Sequence, residues 1–275
     1  MSRLTSFLLL AFVCLTFTSG SYAKQNYKVI SHLIDSFLEF DDNTETYNGF
    51  VVDLIDELNK KLHFTYEIVL PPDNKYGSYN PSTKKWNGMM GYLLDGQGDM
   101  IIADLTDTIK RREVADVTTP FLSTGLGIMY HQVTRQALPF SNLDELADQT
   151  EVNYGTVNHG STYEFIKRGK NETFVKMANY FEQHPEFLVN SVLEGVEKVM
   201  TSNGKFAFIG EGVAYYVLKK QRYPELILVG ETFFPRHFGI VFPKGSKNKA
   251  KFESALTELR EAGVLDELAK KWSLN

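Results

Sequence analysis

The chain has 275 residues, 43% hydrophobic and 23% charged, with a formal net charge of −5. That balance excludes disordered and fibrous classes, and the lack of any long Lys/Arg run argues against a nucleic-acid surface. The length suffices for one large domain or two modest lobes, each with its own core.

At the N-terminus, Arg3 precedes an apolar stretch from Phe7 to Phe17 that exits through Ser21-Tyr22-Ala23. This order predicts a secretory signal peptide, residues 1–23, cut near Ala23. Its apolar centre is shorter than the roughly 20 residues of a membrane span. The single cysteine, Cys14, lies inside it. The mature protein is therefore expected to be secreted and extracellular, with no disulfide, thiol nucleophile or cysteine-held metal. Farther on, the apolar run Phe121 to Tyr130 is broken by Ser123, Thr124, Gly125 and Gly127, so no membrane span is expected.

Segments rich in β-branched and aromatic residues then alternate with helical patterns, which points to an α/β architecture. Tyr27 to Ile34 predicts a first strand. Leu54, Leu58 and Leu62 share one helical face. Phe64 to Leu70 predicts a strand, Trp86 to Leu94 a short helix, Asp99 to Ala103 a buried strand, and Thr108 to Val114 a helix. Phe121 to Tyr130 predicts an extended crossing segment, and His131 to Pro139, without apolar periodicity, a linker. A second block predicts helices over Leu143–Ala147, Ser161–Lys167, Val192–Met200 and Tyr215–Lys220, with strands over Val152–Gly155 and Phe206–Ile209. The C-terminal apolar spacing describes two helices broken at Gly263. Two such blocks joined by crossing segments imply two lobes with a cleft between them.

Familiar catalytic signatures fail. The six histidines have no metal-ligand spacing, Gly125-Leu126-Gly127 is not completed by a third glycine, and Ser161 is not in a Gly-x-Ser-x-Gly elbow. No cofactor and no metal are expected. Asn171-Glu172-Thr173 is a glycosylation sequon.

Tyr76-Gly77, Trp86-Asn87-Gly88-Met89, Ala103-Asp104-Leu105-Thr106-Asp107-Thr108 with Arg111, and Pro120-Phe121 follow in order. Tyr154-Gly155-Thr156, Gly160-Ser161-Thr162, Glu194-Gly195-Val196, Glu211 and Pro243-Lys244-Gly245-Ser246 complete the series. Together they resemble the ligand-binding domain of ionotropic glutamate receptors, from about Val29 to Trp272. The resemblance implies a periplasmic-binding-protein-like type 2 clamshell, with lobe 1 formed by 24–124 plus 236–275 and lobe 2 by 125–235. The stretch His131 to Pro139 stands where that family inserts its channel helices, so the resemblance implies the sensor without the pore.

The resemblance also implies residue roles. Arg111, assisted by Thr106, would grip the α-carboxylate of an amino acid, and Glu211 would accept from its ammonium group. The hydroxyls of Ser161 and Thr162, opening a helix, would contact the ligand carboxylates, and Thr162 as donor to a distal carboxylate favours L-glutamate over glycine, alanine or serine. Tyr76 would lie over the ligand as a lid, with Phe238 close to it. Taken alone, Arg111 reads as a solvated helix residue, Glu211 as a loop residue and Ser161 as an ordinary helix cap.

Four departures from the family pattern stand out. Asp104 occupies a position that is usually proline, whose carbonyl accepts from the ammonium. Val192 replaces a threonine that often pairs across the cleft with the residue at Asp35, so that latch is expected to be missing. Gly210 and Ala214 are small where the family is large, and Glu225 replaces a disulfide cysteine. The expected function is a secreted amino-acid-binding protein that closes by hinge motion. The alternatives are a module that binds a protein partner, or an acid–base enzyme built on a solute-binding fold.

Overall fold

The computed structural model describes residues 24–133 and 137–274. The predicted signal peptide, Cys14 and the middle of the predicted linker lie outside the described residues.

β1 (Asn26–Ile30) buries Tyr27, Val29 and Ile30. It ends four residues earlier than the apolar run suggests, and residues 31–33 continue without regular structure. A small hairpin follows, β2 (Glu39–Asp41) with β3 (Thr46–Asn48). α1 (Phe50–Leu62) buries Phe50, Val51, Leu54, Ile55 and Leu58, and ends where His63 turns left-handed at φ 53°. Next come β4 (Thr65–Val69), a hairpin of β5 (Tyr79–Asn80) and β6 (Lys85–Trp86), and α2 (Gly88–Leu94). The helix predicted from Trp86 begins only at Gly88, because Trp86 pairs with Tyr79 and Gly88 sits at φ 59°. β7 (Met100–Ile101), α3 (Ile109–Val114) and β8 (Ala115–Val117) complete this part of the chain.

β9 (Leu122–Tyr130) then crosses into the second lobe. There the order is α4 (Leu143–Asp148), β10 (Asn153–Gly155), α5 (Ser161–Arg168), α6 (Glu172–Gln183), α7 (Val192–Thr201), β11 (Phe206–Glu211) and α8 (Gly212–Gln221). α6 has no counterpart among the predicted elements; it buries only Phe174, Met177 and Phe181, a thin apolar stripe. β12 (Ile227–Phe238) returns, and β13 (Val241–Pro243), α9 (Lys249–Glu261) and α10 (Val264–Lys271) close the first lobe. Gly263, at φ 76°, separates the last two helices as predicted.

Two sheets organise these elements. The first runs β4-β1-β7-β13-β8 and the second β10-β11-β9-β12. β1 is parallel to β4 and β7, while β13 is antiparallel to β7 and β8. β9 and β12 pair antiparallel from Leu122↔Phe238 to Tyr130↔Ile227, with irregularities between Val229 and Pro235. Both connections between the lobes therefore lie side by side in one ladder. Val213 and Val217 of α8 belong to the same buried cluster as Phe37, Phe50 and Phe238 of the first lobe. Among the described residues, no helix is long and apolar enough to cross a membrane.

Close backbone approach fixes Gly155 in β10, where an added Cβ would lie 1.9 Å from the Phe187 carbonyl oxygen. Gly155→Ala is expected to destabilise the protein by about 1–3 kcal/mol through overpacking. Thermal melting should show a drop of about 2–10 °C; an unchanged midpoint would show that this contact relaxes freely.

Candidate functional site

A cleft of about 930 Å³ separates the lobes, walled by residues 32–35, 74–81, 104, 106 and 111 on one side and 156–162, 190–193, 208–211, 213–214 and 217–218 on the other. It contains every residue the sequence singles out for ligand contact: Tyr76, Asp104, Thr106, Arg111, Ser161, Thr162, Glu211 and Phe238. Asp35 and Val192 also line it.

Arg111 is turned inward by the short helix α3, whose N-cap Thr108 accepts from the Arg111 backbone N–H at 3.3 Å. Its side chain is buried (6% exposed), while Arg112 stays exposed and forks onto Asp107. Arg111 donates from Nη1 to the Thr106 carbonyl at 2.5 Å and from Nη2 to the Gly77 carbonyl at 3.3 Å. A guanidinium has five donors, so these bonds fix its plane and leave capacity for a ligand. Burial pulls its pKa down to about 10, against the opposing pull of Glu211, Tyr76 and Asp104. The charge is held in place at a solvation cost that a bound carboxylate would relieve.

Opposite Arg111, three side chains from both lobes converge. Thr106 Oγ1 and Ser161 Oγ each donate to Glu211 Oε1 at 3.0 Å, and the two hydroxyls lie 3.2 Å apart. Glu211 ends β11 just before α8, which directs its carboxylate into the cleft. Its flanking glycines answer to packing. A Cβ at Gly210 would lie 2.8 Å from the Phe208 ring, and one at Gly212 2.8 Å from Thr232. Gly210 thus makes room for Phe208 while lining the cleft.

The N-terminus of α5 faces the same space. Its N-cap is Gly160, with no side-chain cap, and the first intrahelical bond is Glu164 N–H to the Gly160 carbonyl. The backbone N–H groups ahead of that bond have no intrahelical partner. Ser161 therefore does not act as the cap; its hydroxyl reaches Glu211 instead. Thr162 is buried beside it.

Tyr76 donates to Asp104 Oδ2 at 2.7 Å, and burial, with the Asp104 carboxylate, raises its phenol pKa well above the ordinary value. His32 Nε2 lies 2.6 Å from Asp104 Oδ1. Phe238, fully buried, packs its ring against Phe37 at 6.1 Å, and its backbone bridges Thr106. His32 is a site residue that the sequence reading misses; its only signal is a polar pair, Ser31-His32, continuing an apolar strand.

Arg222, just beyond α8, pairs with Asp35 at 2.7 Å, and Gln221 Nε2 donates to Ser36 Oγ at 2.9 Å. Ser78 Oγ donates to the His159 carbonyl at 2.8 Å, another contact across the cleft. Arg222 is legible in sequence only as a basic residue closing a helix. Away from the cleft, Asn171 caps α6 by accepting from Phe174 N–H at 2.8 Å, which leaves the sequon side chain at an exposed helix start. Among the described residues, no group of three or more His, Cys, Asp or Glu could hold a metal ion.

Residues 25–134 match a family described as the ligated ion channel L-glutamate- and glycine-binding site. Glutamate receptor 3 of Mus musculus and of Homo sapiens are each 24% identical over 353 residues, covering 84% of this chain and 40% of the receptor. The chain thus spans about 40% of the length of these curated relatives. The aligned stretch exceeds the 275 residues of the chain, so the receptors carry residues within it that have no counterpart here. Among solved structures, the Drosophila muscle GluRIIB complex with glutamate is similar at a TM-score of 0.84 and 29% identity, covering 90% of this chain and 98% of that one.

The Asp35–Arg222 pair is 27% and 43% exposed, so solvent screens most of its attraction. A double-mutant cycle with Asp35→Ala and Arg222→Ala, read by urea unfolding, is expected to give a coupling of about 0.2–1 kcal/mol. A coupling of several kcal/mol would mean that the pair is desolvated in solution.

Proposed function

We propose that this chain, a ligand-binding domain of the ionotropic glutamate receptor type, binds a free α-amino acid in its cleft, L-glutamate or a close relative. The observation that carries this reading is the pairing of a buried guanidinium, Arg111, with a carboxylate, Glu211, across one cleft bordered by hydroxyls. These are the complements of a zwitterion. The ligand α-carboxylate takes two parallel bonds from Arg111, a geometry a lysine cannot supply. Its ammonium takes the acceptors of Glu211 and of the Thr106 hydroxyl; because that hydroxyl sits on Glu211 at 3.0 Å, Thr106 serves the ammonium rather than the carboxylate for which the sequence reading proposed it. The distal carboxylate of glutamate takes the free N–H groups of α5 with the Thr162 hydroxyl, the Ser161 hydroxyl being engaged on Glu211.

Because Arg111 belongs to the first lobe and Glu211 to the second, a bound ligand touches both walls only in the closed state. It therefore shifts the lobes toward closure by differential contact. We put the lobe divisions at 124/125 and 235/236, where Thr124↔Arg236 and Gly125↔Pro235 face each other in the β9–β12 ladder. We further propose that the protein works outside the cell, on the strength of the signal-like N-terminal sequence.

The test is thermal melting of residues 24–275 with each common amino acid. At 100 times its dissociation constant, a ligand adds about 2.7 kcal/mol of apparent stability, a rise of about 5–10 °C. Glutamate should give the largest rise, and Arg111→Lys should abolish it. A rise only with glycine, alanine or serine would keep the anchor and remove the role given to Thr162. No rise with any amino acid, in folded protein free of carried-over ligand, would favour the partner-binding alternative.

A further inference from the structure

The wall beside β1 holds a cluster that the scheme above leaves unused. Asp104 lines the cleft with Thr106, Arg111 and Glu211, and is only 9% exposed. Both of its oxygens are tied down, Oδ1 by His32 Nε2 at 2.6 Å and Oδ2 by the Tyr76 hydroxyl at 2.7 Å. The His32 and Tyr76 rings meet edge to face at 4.5 Å, so the two partners brace each other as well as the carboxylate. A carboxylate offers about four acceptor positions, and these bonds take two of them.

A carboxylate so shielded from water is unfavourable unless its charge is matched. Arg111 acts on Asp104 only across space, because its own hydrogen bonds go to the Thr106 and Gly77 carbonyls. The remaining acceptor positions of Asp104 are therefore open to a cation that enters from the cleft. We propose that Asp104 is a second ligand-recognition carboxylate, which brackets the ligand ammonium group together with Glu211, and that His32 and Tyr76 are its positioning residues.

This inference rests on the amino-acid-binding reading of the cleft. An ammonium group carries three donors; Glu211, Thr106 and Asp104 supply one acceptor each. The cleft then discriminates most strongly between an amino acid and the same acid without its amino group. A des-amino ligand brings only negative charge to a wall that already holds two carboxylates.

Titration calorimetry of glutamate and of glutarate, its des-amino analogue, against the full chain tests the proposal, with alanine and propanoate as a second pair. Asp104→Asn keeps the shape and removes the charge. It should weaken the amino acid by about tenfold to a hundredfold and leave the des-amino acid unchanged or tighter. Tyr76→Phe and His32→Leu should shift the same ratio in the same direction, and His32→Gln, which keeps a donor, should retain more of it than His32→Leu. Equal loss for both members of a pair, or an unchanged amino-acid affinity in folded variants, overturns the role of Asp104. Equal behaviour of His32→Gln and His32→Leu overturns the positioning role of His32. A wild-type chain that binds no amino acid overturns the reading of the cleft as a whole, an outcome separate from binding without discrimination.

Discussion

The antiparallel pairing of β9 with β12 is the constraint on which everything else depends. Residues 122–130 and 227–238 are the two passages between lobes, and they are hydrogen-bonded to each other along their length. Two strands in one ladder bend and twist together, which gives the lobes a common axis and resists independent slippage. The break in register between Val229 and Pro235 falls within this ladder, and bulges of this kind are where strands bend most readily. The cleft exists because the two sheets joined by this ladder present their loop ends to each other.

The charged groups of the cleft are held by hydrogen bonds. Arg111 is fixed by two carbonyls, Glu211 by two hydroxyls, and Asp104 by the His32 ring and the Tyr76 hydroxyl. Donor capacity on Arg111 and acceptor capacity on both carboxylates remain for a ligand. Groups held in this way are preorganised: their orientation is fixed before a ligand arrives, so binding loses little side-chain entropy.

Much of this was legible in the sequence, and most of the misses have physical reasons. Long amphipathic patterns such as Leu54-Leu58-Leu62 in α1 and the break at Gly263 mark elements whose burial is set locally. α6 was passed over although Phe174, Met177 and Phe181 recur at helical spacing, so this miss lay in the reading and not in the sequence. The ordered motifs identified Arg111, Thr106, Ser161, Thr162 and Glu211, all of which the structure brings to one cleft. His32 and Arg222 could not be found in that way. Each acts through a partner 72 or 187 residues distant in sequence, and no local pattern encodes such a pairing.

The seating of Val213 and Val217 in the core of the first lobe has a mechanical consequence. α8 follows β11 directly, so the helix that begins one residue after Glu211 is anchored in the buried core of the first lobe, while the strand that carries Glu211 belongs to the second sheet. The position of the acceptor carboxylate is therefore tied to the packing of the opposite lobe, and a cavity made at Val213 or Val217 reaches the cleft without changing any residue singled out for ligand contact.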